Sequence, residues 1–325
     1  MKMSRERLLG NLRGSNAIER VRNYGIVVSF LAIFIVLSLT SRVFLSSQNL
    51  IDILDESAQV GIMACGGTLV FIAGGFDLSI GATFALAGMI AAEAAVGHVD
   101  PLAALVLGVC VGIGVGTVNA LLTTVGRINA FITTIATQFI FYGVASVITG
   151  GLLVTVTNRS FTTIGRGAVG GFTYQVIAWI AFALICGFVL SRTSVGRYIY
   201  ATGGNIEAAR LSGVRVGLIR GATFVVSGFS AALAGVLSVS RTATGEPTAD
   251  MGIELTVIAS IVIGGTSIYG GEGAIWRTML GVLLLTLIGN GFNLLNLDPT
   301  YQEVFQGIVI LAAVAVDAWA RRSKT

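Results

Sequence analysis

About ten apolar stretches, each long enough to cross a membrane, follow one another along the chain and are separated by short polar junctions. Hydrophobic residues make up 54% of the sequence and charged residues only 11%, less than half of the roughly 25% that a soluble domain carries. A bilayer core about 30 Å thick requires roughly 20 residues of helix. The stretches are continuous instead of alternating with a period of two residues, which favours helices over a β-barrel. We therefore predict an all-α polytopic membrane protein.

The pattern predicts about ten transmembrane helices, some of them broken at glycine-rich motifs. They form a single transmembrane domain, preceded by a basic N-terminal segment at 1–23 and followed by a short tail at 321–325. The predicted helices cover residues 24–41, 58–75, 79–97, 102–125, 129–150, 174–191, 221–240, 253–270, 278–297 and 303–320, so that the domain extends over 24–320.

The positive charges lie mostly on one side of the predicted membrane. With the N-terminus inside, 16 of the 20 Lys and Arg residues fall in inner segments. The positive-inside rule therefore places both termini, and the connection at 192–220, in the cytoplasm. The first apolar run has no small-residue cleavage site behind it and is predicted to be an uncleaved anchor. The excess of basic over acidic residues indicates contact with anionic lipid. Nucleic acid is not expected as a partner, because the sequence predicts no basic folded face.

Two clusters of adjacent glycines interrupt predicted helices. Gly74 and Gly75 begin the run Gly-Gly-Phe-Asp-Leu-Ser-Ile-Gly, and Gly264 and Gly265 begin the run Gly-Gly-Thr-Ser-Ile-Tyr-Gly-Gly. A break at membrane depth leaves backbone groups unpaired, which is tolerated only where protein or a water-filled cavity covers them. The four glycines are therefore candidates for a translocation pathway or gate. An offset of 190 residues superposes the two clusters, a weak indication of a duplicated unit.

Asp77 lies inside the first break, with Ser79 two residues on. A carboxylate is costly near a membrane unless it caps a helix or faces water. As the N-cap of the third predicted helix, Asp77 is expected to accept a hydrogen bond from a backbone N–H two or three residues on and to complement the helix dipole. The other interpretation is a direct part in gating or transport, for which Asp77 and Ser79 are both candidates.

Glycine also recurs every four residues in the fourth predicted helix. Gly108, Gly112 and Gly116 leave a stripe without side chains, on which the backbone of another helix can lie close. The three cysteines of the chain show no metal-ligand spacing and are expected to pack as small apolar residues. We therefore predict close helix packing and no metal site.

The inner connection at 192–220 contains a short helix with its own end signals. Asn205 is a favourable N-cap, Glu207 lies in the first turn, and Gly213 suits a C-terminal stop. The residues between them favour helix, among them Ala208, Ala209 and Leu211. So short a helix is unstable in isolation and needs a partner surface. An ordinary membrane-surface loop is the other interpretation of this segment.

Three motifs in order carry a family resemblance. They are the run at 74–81, the run Gly-Asn-Ile-Glu-Ala-Ala-Arg-Leu-Ser-Gly at 204–213, and the run at 254–271 that ends in Ile-Gly-Gly-Thr-Ser-Ile-Tyr-Gly-Gly. Together they resemble the permease subunits of bacterial ABC importers for monosaccharides, the ribose-type branch. The resemblance covers residues 25–320. Phe76 is a departure, because relatives usually carry an aliphatic residue before the Asp.

This resemblance implies a homodimeric channel with ten helices per subunit in the bacterial plasma (inner) membrane. Such a channel receives a sugar from an extracytoplasmic binding protein and is driven by cytoplasmic ABC ATPase subunits through alternating access. By the same likeness, Asn205 to Gly213 is the coupling helix that docks in a groove of the ATPase, with Glu207 and Arg210 on it. The expected partners are the ATPase, the binding protein, a second permease copy and membrane lipid.

The sequence carries no nucleotide-binding motif of its own. It has no G-x-x-x-x-G-K-[ST] loop, and its only lysines are Lys2 and Lys324, so it cannot build a Walker-type phosphate cradle. ATP and Mg are therefore expected on the partner ATPase and no cofactor on this chain. No paired carboxylates or nucleophile–base arrangement indicates an enzyme.

A neutral sugar requires polar partners for its hydroxyl groups instead of charge. Candidate pathway residues are the amides near predicted helices, namely Asn119, Asn129, Asn290 and Asn293. Interhelical hydrogen bonds that hold packed helices together are the other interpretation of these residues.

The main alternative function is an ion-coupled secondary transporter of a small polar solute, using the broken helices. Such a carrier needs a cluster of titratable or ion-coordinating groups within the membrane. The predicted helices offer little of this kind beyond Asp77.

Overall fold

The computed structural model describes residues 25–248, 251–298, 300–302, 304–309, 311 and 315 of the chain. Residues 1–23, the tail at 321–325 and much of the last predicted helix at 303–320 lie outside the described residues. The described helices are α1 (Gly25–Thr40), α2 (Ser47–Ile72), α3 (Ile80–Val96), α4 (Pro101–Thr124), α5 (Ala130–Thr149), α6 (Arg159–Arg166), α7 (Tyr174–Arg192), α8 (Ser194–Gly204), α9 (Ile206–Leu211), α10 (Val216–Thr242), α11 (Ile253–Ile263) and α12 (Ile275–Leu294), and residues 300–302 and 304–309 are also helical.

The strands are short and connect loops instead of forming a layer. They are β1 (Val154–Thr155), which pairs antiparallel with β4 (Thr244–Gly245), and the hairpin of β2 (Ala168–Val169) with β3 (Phe172–Thr173). All four lie in the connections around α6 and after α10. The predicted all-helical class is therefore confirmed for the described residues.

Five described helices, α4, α5, α7, α10 and α12, are long and apolar enough to cross a membrane, and α1, α3 and α11 are shorter apolar helices. Helix α10 lies at the centre of the bundle, against α2, α3, α4 and α6. The predicted glycine stripe on α4 is confirmed. A Cβ at Gly116 would lie only 2.9 Å from the Cα of Val225 on α10, and a Cβ at Gly108 would lie 2.7 Å from the carbonyl oxygen of Ala87 on α3.

Helix α2 begins at Ser47, well before the predicted start at residue 58. The prediction was wrong because it began the helix at the first continuous apolar run, whereas the preceding turns carry polar residues that the fold pairs. Arg241 forms an ion pair with buried Asp55 at 3.3 Å, and Thr173 also donates to Asp55. The side chain of Ser46 caps the helix by accepting from the backbone N–H of Asn49 at 3.3 Å.

Helix α11 is much shorter than the predicted helix at 253–270. Its 11 residues span about 16 Å, roughly half of a bilayer core of about 30 Å. The helix ends because Gly265 takes a φ of +76°, and the N–H of Thr266 then bonds back to the carbonyl of Ile261 at 3.2 Å. The apolar residues beyond this turn belong to a loop.

The end of α2 has the same backbone geometry as the end of α11. Gly74 takes a φ of +73°, and the N–H of Gly75 bonds to the carbonyl of Val70 at 2.9 Å. Gly74 is therefore equivalent to Gly265, an offset of 191 residues instead of the predicted 190. The two helices therefore end in the same backbone conformation. The residues that are equivalent in conformation differ by one position from those that are aligned in sequence.

The inner connection contains more helix than predicted. Helix α8 follows α7 directly and was not expected, and α10 begins at Val216 instead of residue 221. The side chain of Thr193 caps α8 by accepting from the backbone N–H of Gly196 at 3.2 Å. Short helices of this kind carry no long apolar stretch, so a search for membrane-spanning segments passes over them.

The end of α8 and the two helix breaks meet at a contact that we call the glycine junction, formed by Gly74, Gly203, Gly270 and Gly271. The N–H of Gly271 donates to the carbonyl of Ile72 at 2.9 Å. A Cβ at Gly270 would lie 2.9 Å from both the Cα of Gly74 and the carbonyl oxygen of Gly203. Three backbone segments approach this closely only because no side chains separate them.

Two side-chain hydrogen bonds reinforce the glycine junction. The hydroxyl of Tyr200 on α8 donates to the carbonyl of Gly273 at 2.8 Å, and the Nη2 of Arg220 on α10 donates to the carbonyl of Gly74 at 2.7 Å. Because α9 follows α8 after a single residue, the junction fixes the position of α9 relative to both breaks. We call the end of the bundle that carries α8 and α9 the α9 face.

We expect the change Gly203→Ala to disrupt the glycine junction. The added Cβ would overlap the carbonyl oxygen of Ile72, and a backbone oxygen cannot turn away as a flexible side chain can. The free energy of unfolding should fall by about 1–3 kcal/mol or more, the usual cost of overpacking. Thermal unfolding of the purified protein in detergent measures this change.

The matched control is Gly204→Ala, the next residue of the same helix, where an added Cβ meets no atom within 4 Å. This variant should unfold at the temperature of the unmodified chain or slightly above it, because Ala favours helix over Gly. Equal unfolding temperatures for the two variants would contradict the close backbone packing described above.

Candidate coupling and translocation site

Helix α9 has both of the end signals predicted from the sequence. The side chain of Asn205 accepts a hydrogen bond from the backbone N–H of Ala208 at 3.0 Å. At the other end Gly213 has a φ of +83°, its N–H bonds to the carbonyl of Arg210, and the N–H of Val214 bonds to the carbonyl of Ala209. These bonds satisfy backbone groups that so short a helix would otherwise leave unpaired.

The outer surface of α9 is uncovered. Glu207 and Arg210 form an ion pair at 3.1 Å with side chains that are 73% and 63% exposed, and Leu211 is 88% exposed. A pair this exposed contributes only about 0–1 kcal/mol to folding. Ala209 is buried against the bundle, whereas Ala208 faces away from it. Helix α9 therefore presents two charges and two apolar side chains, Leu211 and the less exposed Ile206.

Asp77 is buried and both of its carboxylate oxygens accept hydrogen bonds. Oδ1 accepts from the N–H of Ser79 at 3.0 Å and from its hydroxyl at 2.7 Å. Oδ2 accepts from the hydroxyl of Ser227 on α10 at 2.7 Å. The expected hydrogen bond from a backbone N–H two residues on is confirmed. The N-cap residue of α3 is Ser79, however, and Asp77 belongs to the turn that precedes the helix.

Asn119 extends this network across the bundle. Its amide donates to the hydroxyl of Ser79 at 2.7 Å, and its carbonyl oxygen accepts from the hydroxyl of Thr137 on α5 at 2.8 Å. The structure thus brings Asp77, Ser79 and Asn119 together in one buried chain of hydrogen bonds. This chain joins α3, α4, α5 and α10.

The other three candidate asparagines lie elsewhere. Asn129 is exposed and caps α5, accepting from the N–H of Phe131 at 2.9 Å. Asn290 pairs with Asn49 on α2, donating to its side-chain oxygen at 2.8 Å. Asn293 is exposed near the end of α12. The structure therefore does not bring the four candidate asparagines together, and their part in a pathway stays a prediction.

Glu254, in the first turn of α11, is a buried carboxylate that the sequence analysis did not single out. The amide of Gln138 on α5 donates to its Oε1 at 2.6 Å. Its Oε2 occupies space beside Gly81 on α3 that a Cβ at that residue would fill. Burying a carboxylate within a membrane bundle costs free energy, so a buried acid there is a candidate functional residue.

A polar cavity of about 850 Å³ lies between α2, α11, α12 and the helical residues after 300. Leu255 and Met251 lie along it and are 58% and 66% exposed. The cavity is several times larger than a monosaccharide and lies in the range of small-molecule sites. Its polar side chains are amides, hydroxyls and one carboxylate, contributed by Glu56, Gln59, Thr256, Ser260, Thr286, Gln302 and Gln306.

These cavity residues were also missed in the sequence. Gln59 donates to Ser238 on α10 at 3.1 Å, and Gln306 donates to Thr256 on α11 at 3.2 Å. The cavity residues come from α2, α11, α12 and the helical residues after 300, and only the packing of these helices brings them to one surface. Among the described residues, no three His, Cys, Asp or Glu side chains come together as a metal site.

Comparison with known proteins gives a family and named relatives. A family model described as the branched-chain amino acid transport system / permease component matches residues 49–314. The ribose import permease protein of Bacillus subtilis (strain 168) is 40% identical over 293 residues, which is 89% of this chain and 91% of that protein. The D-allose transport system permease protein of Escherichia coli (strain K12) is 39% identical over 281 residues, 86% of each chain. No solved structure matches the chain.

The match is not confined to the motifs. The ribose import permease protein of Escherichia coli (strain K12) is 38% identical over 300 residues, 90% of this chain and 92% of that protein. The family model itself begins within α2 and continues past α12, so it includes α9, both helix breaks and the polar cavity. The chain is thus similar over most of its length to sugar import permeases and is a transport subunit instead of an enzyme. It therefore belongs to the family of transport-system permease components, as a multi-pass protein of the bacterial inner membrane.

Proposed function

We propose that this chain is the permease subunit of an ATP-binding-cassette importer and forms the path by which a monosaccharide enters the cell. The observation that carries the proposal is α9, a capped and uncovered helix that the glycine junction ties to both helix breaks. Its Glu207, Arg210 and Leu211 are exposed, which supports docking in a partner ATPase. ATP and Mg are bound by that partner.

The proposed topology has ten transmembrane helices and both termini in the cytoplasm. The α9 face is then the cytoplasmic face, in agreement with the arginines of the 192–220 connection. Helix α11 takes part as a half-length helix, and Met251 and Gly252, which lead directly into it, form a turn instead of helix. Such backbone is tolerated where it is covered by protein or lines a cavity, and the polar cavity lies directly beside Met251 and Gly252.

A sugar is the substrate class that the cavity supports best. The family description names branched-chain amino acids, whose side chains need an apolar pocket, whereas the named relatives are ribose and allose permeases. The cavity offers amide and hydroxyl groups such as Gln59, Thr256 and Thr286, which suit a polyhydroxylated neutral solute. The same similarity favours this function over an ion-coupled secondary transporter.

The cavity surface is also the proposed contact with a second permease copy. Leu255 and Met251 leave apolar area uncovered at the edge of a polar hollow. A second copy placed against them would enclose the hollow as a path between subunits. An extracytoplasmic sugar-binding protein would deliver the sugar to the end opposite the α9 face.

In the proposed mechanism, closure of the two ATPases displaces α9 and, with it, α8. Because Gly203 on α8 packs directly on Ile72 and Gly271, the displacement reaches the breaks after α2 and α11 without passing through flexible side chains. Helices α2 and α11 both line the polar cavity. The cavity would thus open alternately to the two sides of the membrane.

The double change Glu207→Ala and Arg210→Ala tests the coupling role of α9. Since the exposed ion pair adds little to folding, the variant should insert normally but lose ATPase docking and sugar uptake. Uptake of labelled ribose by cells that carry the cognate ATPase and binding protein measures the effect, with immunoblots of membranes for protein amount. The control is Arg197→Ala, which removes an exposed arginine from the neighbouring helix α8. Full uptake by the double variant would remove the coupling assignment.

The change Thr286→Val tests the polar cavity as the sugar path. Val has nearly the shape of Thr but lacks the hydroxyl, so one hydrogen bond to the sugar is lost. We expect the KM for uptake to rise roughly 2- to 10-fold, the value of one net hydrogen bond of about 0.5–1.5 kcal/mol. Thr117→Val is the control, because Thr117 is exposed on α4 and its hydroxyl donates to the carbonyl of Ile113 in the same helix. Equal KM values for both variants would exclude Thr286 from the path.

The change Asp77→Ala separates the structural interpretation of Asp77 from the gating one, and we propose the structural role. Alanine leaves the N–H and hydroxyl of Ser79 and the hydroxyl of Ser227 without their acceptor, at about 1–3 kcal/mol for each buried group. The unfolding temperature should fall strongly. Adding Ser227→Ala should cost less than the two single changes summed. An unchanged unfolding temperature with lost uptake would instead indicate gating.

A further inference from the structure

A second cavity, of about 680 Å³, lies at the α9 face, where the α4–α5 connection approaches α9 and the start of α10. It is separate from the polar cavity and shares no residue with it. The lining residues that carry the inference are Thr124, Arg127, Asn129, Arg210, Gly217 and Arg220.

Three arginines from three different elements converge on this cavity. Arg127 comes from the α4–α5 connection, Arg210 from α9 and Arg220 from α10, and no acidic residue is among the lining residues. Arg210 has one partner in Glu207, and Arg220 uses one nitrogen on the carbonyl of Gly74. Within the described part of the chain, the guanidinium of Arg127 makes no ion pair. Since each guanidinium carries five N–H donors, most of the donors at this cavity remain available.

The first turn of α10 strengthens the positive character of the cavity. Val216 and Gly217 form part of its wall, and the N-cap residue Arg215 makes no side-chain hydrogen bond to the helix. The N–H of Val216 bonds to the carbonyl of Val214, no cap side chain accepts from the N–H groups that follow it, and the positive end of the helix dipole faces the same region. Guanidinium groups in this arrangement match the oxygens of a phosphate.

Apolar side chains continue outward from the cavity. Ile128 lines it and is 45% exposed, and Val125, three residues earlier, is 74% exposed. Leu121 and Ile132 lie about one helical turn from these residues on α4 and α5 and are also exposed. A positive pocket bordered by exposed apolar side chains matches a molecule that has both an anionic head and acyl chains. Free phosphate has no acyl chains and would leave the apolar side chains uncovered.

We propose that this cavity binds the phosphate headgroup of an anionic phospholipid, with its acyl chains along the exposed faces of α4 and α5. The inference rests on the proposed function in one respect, namely that the α9 face is cytoplasmic and meets the inner leaflet, whose anionic lipids attract basic residues. The bound headgroup joins Arg127, Arg210 and Arg220. It thereby links α9 to α10 and to the α4–α5 connection.

The test is lipid binding to the purified full-length permease in neutral detergent, followed by native mass spectrometry. Phosphatidylglycerol and phosphatidylcholine with the same acyl chains are compared, and inorganic phosphate is added as a separate competitor. We expect preferential retention of phosphatidylglycerol. Arg127→Gln should weaken it about fivefold, the order of one basic residue at an anionic surface, and phosphate alone should not displace it.

The matched control is Arg197→Gln, which removes an exposed arginine from α8 on the same face without touching the cavity. It should retain phosphatidylglycerol as the unmodified chain does. Circular dichroism and the unfolding temperature show whether Arg127→Gln is folded, and Arg220→Gln gives a second removal of a lining charge.

Several results would overturn the proposal. Equal retention of the two lipids, or unchanged retention by both Arg127→Gln and Arg220→Gln, would remove the site. Full displacement by inorganic phosphate would assign the cavity to a free anion, and full displacement by the purified ATPase would assign it to an acidic segment of that protein. Sugar uptake does not enter this measurement, so failure of the transport proposal and failure of the lipid site are distinguishable.

Discussion

The backbone contact at the glycine junction is the interaction on which the rest of the structure depends. Helices that end inside a membrane bundle leave carbonyl and N–H groups that must find partners in the protein. Here the break after α2 finds one in the break after α11, through the N–H of Gly271 and the carbonyl of Ile72. Helix α8 lies on both breaks at Gly203. The position of α9, and with it any partner bound to α9, is set by the same contact.

The polar groups of the bundle fall into two kinds. The network of Asp77, Ser79 and Asn119 is buried, and both carboxylate oxygens have partners, so it holds four helices together. The residues of the polar cavity, such as Gln59 and Thr286, face a hollow large enough for a solute. Buried polar groups cost free energy unless they are paired. This cost explains why the buried network is closed, whereas polar groups that face a hollow can meet water or a solute.

The fold was predictable from sequence to the extent that its signals are local. The caps of α9 at Asn205 and Gly213, the stripe of Gly108, Gly112 and Gly116, and the bond from Ser79 to Asp77 were all expected and confirmed. The start of α2 and the length of α11 were predicted wrongly. In both cases hydropathy reflects how apolar a segment is, whereas the helix end depends on pairing by distant residues, such as Arg241 with Asp55, or on one positive φ angle.

The sequence alone determined that this protein is a helical membrane protein with a short capped helix in its 192–220 connection, because span length and capping act over a few residues. Only the tertiary structure decided which polar residues share a surface. Gln59, Thr256, Thr286 and Gln302 come from separate stretches, and Arg127, Arg210 and Arg220 meet only when α4, α9 and α10 pack. No local rule encodes such meetings, since they depend on helix rotation and crossing, which the packing of glycines against backbone sets.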